Sequence, residues 1–62
     1  MIKIHNRVRV TNVISTYFNC EGKVKDIGKI SLIDGLKERF YVLFPDGHKI
    51  SFWEDELERV MK

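Results

Sequence analysis

"RFYVLFPDGHKISFW", residues 39–53, sets two strand-forming runs on either side of Pro45-Asp46-Gly47. Proline presets its own φ, aspartate tolerates the bridge position and Gly47 takes the left-handed one, which predicts a three-residue hairpin connection. The first run, "RFYVLF" (39–44), is the strongest strand in the chain. Phe40, Val42 and Phe44 form one face, and Tyr41 and Leu43 the other. With both faces apolar, this strand is expected to be central and covered at least partly on both sides. "HKISFW" (48–53) pairs back antiparallel, with Ile50 and Phe52 facing in. Ile50, Trp53, Leu57 and Met61 also fall at helical spacing, but the hairpin signal between two strand formers outweighs a helix over 50–61.

Working outward, "EDELERV" (54–60) opens with acids and spaces Leu57 and Val60 for one tight helical turn leading into a short last strand. On the other side, "SLIDGLKE" (31–38) reads as a turn centred on Asp34-Gly35. "KVKDIGKI" (23–30) is a strand with Val24 inward and Lys23 and Lys25 outward, and Gly28 breaks its alternation as a bulge or bend would. "ISTYFNCEG" (14–22) is a long loop holding Tyr17 and Phe18 and closed by Gly22. "RVRVTNV" (7–13) alternates Val8 and Val10 with Arg7, Arg9 and Thr11, the period of a half-buried strand. The expected fold is therefore all-β, a five-stranded SH3-like barrel with a one-turn helix before the last strand, forming a single domain over 1–62. Closure would hide the edges of so small a sheet.

Sixty-two residues with one cysteine, Cys20, leave no internal disulfide to reinforce the core. A lone cysteine suits a reducing compartment, and "MIKIHNRVRV" has no long apolar run, so neither a signal peptide nor membrane insertion is expected and the cytoplasm is the default. The net charge of +2 is unevenly spread. Residues 1–31 hold six bases (Lys3, Arg7, Arg9, Lys23, Lys25, Lys29) against Glu21 and Asp26, whereas residues 32–62 hold five bases against seven acids.

"VRVTNVISTYFNCEGKV" (8–24) and "VLFPDGHKISFWEDELERV" (42–60) together resemble the small SH3-like proteins of oxygenic photosynthesis. The shared features are the Val-Arg-Val-Thr-Asn-Val first strand, Thr16-Tyr17, Glu21-Gly22 leading the second strand, a Val-Leu-Phe strand ending in a turn glycine, and Glu56-Leu57-Glu58 with Val60. The nearest group is the ferredoxin-docking subunits of the photosynthetic NAD(P)H-dehydrogenase-like complex. The small SH3-like subunit of photosystem I and the variable chain of ferredoxin–thioredoxin reductase are more distant. The resemblance implies an accessory subunit without cofactor or catalysis.

Motifs for chemistry are sparse. His5 and His48 lie far apart and Cys20 has no Cys-x-x-Cys companion, so no zinc spacing exists. His48 is expected to cap the hairpin from solvent, and Cys20 to pack in or beside the core. No activating motif surrounds Ser15, Ser31 or Ser51, and the Asp-Gly pairs are turns rather than phosphate cradles. Glu54, Asp55, Glu56 and Glu58 read as helix-start and solvated charges. No enzyme activity, metal or cofactor is expected.

Surfaces remain. With Val8, Val10 and Val24 inward, Arg7, Arg9, Lys23 and Lys25 form an outer basic stripe extended by Lys29, suited to steering an acidic partner. Alternation alone also requires polar outer positions, and lysine protects edges. Tyr17, Phe18 and Trp53 are candidate anchors, although Tyr17 and Trp53 could equally plug the barrel ends. The expected function is a non-catalytic protein-interaction module, an accessory or regulatory subunit using Arg7, Arg9, Tyr17, Phe18, Lys23, Lys25 and Trp53. The alternative is a nucleic-acid-binding Tudor-like or translation-factor-like barrel. The sequence leaves the oligomeric state open.

Overall fold

The computed structural model describes residues 2–61; Met1 and Lys62 of the expected 1–62 domain lie outside the described residues. The strands are β1 (Arg7–Val10), β2 (Glu21–Leu32), β3 (Gly35–Leu43), β4 (Lys49–Trp53) and β5 (Leu57–Arg59), with a 3₁₀ turn at Glu54–Glu56 between the last two. All pair antiparallel in one sheet of order β4-β3-β2-β1-β5. Among the described residues no ladder joins β4 to β5, so the sheet stays open along that seam. The 3₁₀ turn nevertheless links the two outermost strands. At about 2 Å of rise per residue it draws the opposite edges towards each other, coiling the sheet around its inner face.

Glu56 clasps the seam. Its carboxylate accepts the backbone N–H of Trp53 through Oε1 and the Asn12 side-chain amide through Oε2, each at 2.8 Å. Its carbonyl accepts the N–H of Thr11, also at 2.8 Å. Glu56 is thus half-buried and bonded on both sides, not simply a solvated charge.

The inner face is wholly apolar: Ile2, Val8, Val10, Val24, Phe40, Val42, Phe44, Phe52 and Leu57, with Tyr17, Ile27 and Ile50 packed against it. Phe44 meets Phe52 edge-on with centroids 6.0 Å apart. The expected inward set from the hairpin and from the valines of β1 and β2 holds. Ile2 adds a plug beyond the expected inward set. It is carried in by residues 3–6, whose backbone meets β2: the N–H of His5 donates to the Val24 carbonyl (2.7 Å), and the N–H of Val24 donates to that of Asn6 (2.9 Å).

Several boundaries move. β1 stops at Val10, because the Val10 N–H and carbonyl turn inward to Cys20 and Asn19 and start the loop there. β2 takes in Gly22, where a Cβ would lie 2.6 Å from Val42 Cγ1 and 2.7 Å from the Leu43 carbonyl oxygen. Only glycine lets β3 approach this closely. The expected long turn over 31–38 shrinks to Ile33-Asp34, and Gly35, at φ 129°, begins β3. The bulge falls at Lys25, between the Val24↔Val42 and Asp26↔Tyr41 pairs, whereas Gly28 pairs regularly with Arg39. An extra residue there reverses the alternation, so Ile27 returns to the core opposite Phe40. Gly28 instead leaves room for the Tyr41 ring, whose Cε2 would sit 3.3 Å from a Cβ. Cys20 is exposed rather than packed, since the loop turns it outward before β2 begins.

The Pro45-Asp46-Gly47 connection forms as expected. The Gly47 N–H donates to the Phe44 carbonyl at 2.9 Å, Gly47 adopts φ 91°, and the Phe44 N–H donates to the His48 carbonyl at 3.0 Å. No helix of the described residues is long and apolar enough to cross a membrane.

Candidate functional site

The register decides which bases act together. Arg7 lies opposite Lys23, and Arg9 opposite both Glu21 on β2 and Glu58 on β5. Arg7 ion-pairs with Glu21 at 3.6 Å, and Arg9 Nη2 donates to Glu58 Oε2. The arginines of β1 are therefore interleaved with carboxylates. The expected continuous stripe Arg7, Arg9, Lys23, Lys25 and Lys29 does not form. Lys29 follows the bulge and falls on the other side of the sheet, opposite Glu38.

A different basic face emerges one strand over. On the outer side of β2, β3 and β4, Lys23, Leu43 and Lys49 form one row, and Lys25 and Asp26 share a second row with Tyr41 and Ser51. Gly28, Arg39 and Trp53 form a third, beyond which Ile30 faces Lys37. Five bases thus stand against Asp26. Among the described residues none of the five is in an ion pair, the pairs being Arg7–Glu21, Arg9–Glu58 and His48–Asp46. Lys23, Lys25 and Trp53 of the expected set lie on this face. Sequence reasoning places Tyr41 on the face opposite Phe40 and Val42 but does not single out Arg39 or Lys49 as companions, although the alternation of 39/41/43 and 49/51/53 across the Pro-Asp-Gly hairpin contains that signal.

The two rings of this face are already engaged. Trp53 has the Arg39 guanidinium 4.4 Å and Lys37 Nζ 5.4 Å from its ring centroid. Arg39 is held there by donating to Ser51, from Nε to Oγ at 3.1 Å and from Nη2 to the carbonyl at 3.4 Å. Tyr41 lies across the gap left by Gly28.

Tyr17 and Phe18 part company. Tyr17 stacks on Phe44 at 4.3 Å, and its hydroxyl donates to Asp46 Oδ2 at 2.9 Å. His48 Nδ1 sits 3.0 Å from both oxygens, and the His48 N–H donates to Asp46 Oδ1 at 3.0 Å. Hydrogen bonds from the side chain and backbone of His48, joined by that of Tyr17, lower the Asp46 pKa to about 2. Partial desolvation, followed by the bond to Asp46, raises the Tyr17 phenol above its usual value. Tyr17 therefore latches the 11–20 loop to the β3–β4 turn. Phe18 stays exposed beside Val13 and Ile14 on the same loop.

Two hollows flank these elements. Arg7, Glu21, Gly22, Lys23, Leu43, Phe44 and Pro45 border a shallow one of about 230 Å³. A larger one, about 500 Å³, lies where β4 ends, between Leu36–Glu38 of β3 and Trp53–Asp55. Among the described residues no three His, Cys, Asp or Glu side chains are grouped to hold a metal ion. A scan against protein-family models finds no match, and a search of curated proteins finds no significant relative.

Proposed function

We propose that this chain is a small SH3-like barrel without catalytic chemistry, an accessory module that docks on an acidic protein through the outer face of β2, β3 and β4. In favour of the barrel stand the strand order, the long loop after β1 and the 3₁₀ turn that spans the seam. The observation behind the docking is a set of five bases outside any ion pair among the described residues. Lys23, Lys25, Lys37, Arg39 and Lys49 share one face with Tyr41, Leu43 and Trp53. Charge of one sign on a fixed sheet steers and orients a partner of the other, while half-buried rings supply area at the centre. The resemblance of 8–24 and 42–60 to ferredoxin-docking subunits points to the same class of partner, an acidic electron carrier.

Single-stranded nucleic acid is the second reading, favoured by the same bases and rings. Base stacking needs an open ring face, and Trp53 already bears Arg39 and Lys37. Protein therefore ranks first.

The test is an amide-resolved NMR titration with a plant-type ferredoxin, beside fluorescence polarisation with labelled dT15 and U15. Docking predicts shifts confined to Lys23–Asp26, Lys37, Arg39–Leu43 and Lys49–Trp53. Lys23→Glu with Lys49→Glu should weaken binding roughly tenfold, and Arg7→Glu with Arg9→Glu far less. Tight, steeply salt-dependent oligonucleotide binding would move the assignment to the second reading.

A further inference from the structure

β3 outruns the strand beside it. β4 pairs with β3 only as far as Arg39, opposite Trp53, and then leaves into the 3₁₀ turn. Leu36, Lys37 and Glu38 continue β3, paired on one side with Ser31, Ile30 and Lys29 of β2. Their other edge faces the hollow of about 500 Å³ lined by Leu36, Lys37, Glu38, Trp53, Glu54 and Asp55. A strand edge with no neighbour offers its backbone N–H and C=O groups to another extended chain. We infer that this edge accepts an extended segment of another protein with a basic leading residue, added antiparallel to β3 in line with β4. This edge borders the docking face and shares Lys37 and Trp53 with it, but the inference rests on the unpaired backbone of Leu36–Glu38 and on the carboxylates beside it, and stands whether or not that reading holds.

Charge selects the occupant. A segment entering where Trp53 leaves places its first residue opposite Glu38, with Glu54 and Asp55 in the same hollow. Those three carboxylates outnumber Lys37, which lies over the Trp53 ring. The leading position therefore takes lysine or arginine. The second residue faces Lys37, and the third lies opposite Leu36, which is 69% exposed and takes an apolar side chain. Opposed residues share a face of the sheet, so the recognised pattern is base–any–apolar.

A second copy of this chain fits poorly at the same edge. Two-fold pairing centred on Lys37 sets lysine against lysine. Centring on Leu36 sets Asp34 against Glu38, and centring on Glu38 sets glutamate against glutamate. Like charges directly opposed destabilise a strand pair.

The probe is acetyl-Arg-Thr-Val-Thr-Val-amide, titrated to millimolar concentration into the ¹⁵N-labelled chain. Shifts should appear at Leu36–Glu38 and the Trp53 indole and spare Lys23 and Lys49. Replacing the arginine with glutamate should weaken binding, and Glu54→Lys with Asp55→Lys should weaken it roughly three- to tenfold, both sites being exposed and the fold intact. N-methylating alternate residues of the peptide, in both phases, should abolish binding in one phase by removing the ladder bonds. The inference is overturned by any of four results: no shifts, shifts centred on Lys23 and Lys49, equal binding by both N-methylated phases, or a dimer of the free chain in sedimentation.

Discussion

β2 and β3 are one continuous ladder in two environments. From Lys23↔Leu43 to Ile27↔Phe40 the pair lies over the core, and Val24, Phe40 and Val42 are fully buried. From Gly28↔Arg39 outward the same pairing continues to Leu32↔Gly35, yet every residue from Lys29 to Glu38 is exposed, with Ile33 at 108%. Apart from the bulge at Lys25 in the core half, the hydrogen-bonded pairing runs on through both halves; what differs most is whether anything covers the side chains. Backbone pairing thus shapes the arm, while burial of apolar area stabilises the body.

Substitutions that separate the halves sharpen this contrast. Phe40→Ala should have the largest effect, about 3–5 kcal/mol, comparable to the whole stability expected of a 62-residue domain. Urea titration should then show no cooperative transition. Gly22→Ala comes next, at about 1–3 kcal/mol, because the new methyl meets the Leu43 carbonyl as well as Val42. Its denaturation midpoint should fall with an unchanged slope.

The latch between loop and hairpin should show as pH dependence. Asp46 is lowered in the folded state to about 2 from an ordinary 3.8, so its stabilising contribution is complete above 3.8 and is lost as pH falls through about 2. Asp46→Asn should remove that part of the acid sensitivity, and the stabilities of the two proteins should draw closer as the pH falls across the window. Tyr17, whose pKa is raised, contributes below its ordinary value of 10 and loses that contribution as pH rises through the shifted one.

Least affected of all should be the arm. Ile33→Ser and Leu36→Ser should change stability by less than about 0.5 kcal/mol. Amides beyond Arg39 should exchange with solvent well before those of Val24 and Val42. A large loss from Ile33→Ser would mean that the arm folds back on the body, and the contrast would fail.

Much of the body is legible because its signals are local. The Pro45-Asp46-Gly47 turn, the alternation of Val8 with Val10, and the acids that open the 3₁₀ turn each depend on neighbours in sequence. Leu57 and Val60, whose spacing is expected to belong to that turn, lie outside it, and Leu57 instead starts β5. The bulge is easily misplaced because Gly28 is the conspicuous residue, although the Val24-Lys25-Asp26-Ile27 spacing already breaks a period of two. Ile2 shares a period of two with Ile4, Val8 and Val10, but Asn6 interrupts it and Ile4 is exposed, so the pattern does not mark Ile2 as core. Of the candidate surface, Lys23, Lys25 and Trp53 are readable, but the neutralisation of Arg9 depends on Glu58, 49 residues away and adjacent only through strand order. Alternation tells in from out; it does not tell which strands lie side by side.

That adjacency of β1 and β5 has a kinetic consequence. Val10 pairs with Leu57, 47 residues further along the chain, so this contact is among the most distant in sequence. Topologies dominated by such pairings typically fold in milliseconds to seconds rather than microseconds. If the short three-residue β5 docks last, replacing Leu57 should speed unfolding while scarcely slowing folding, and a chevron measurement would show it.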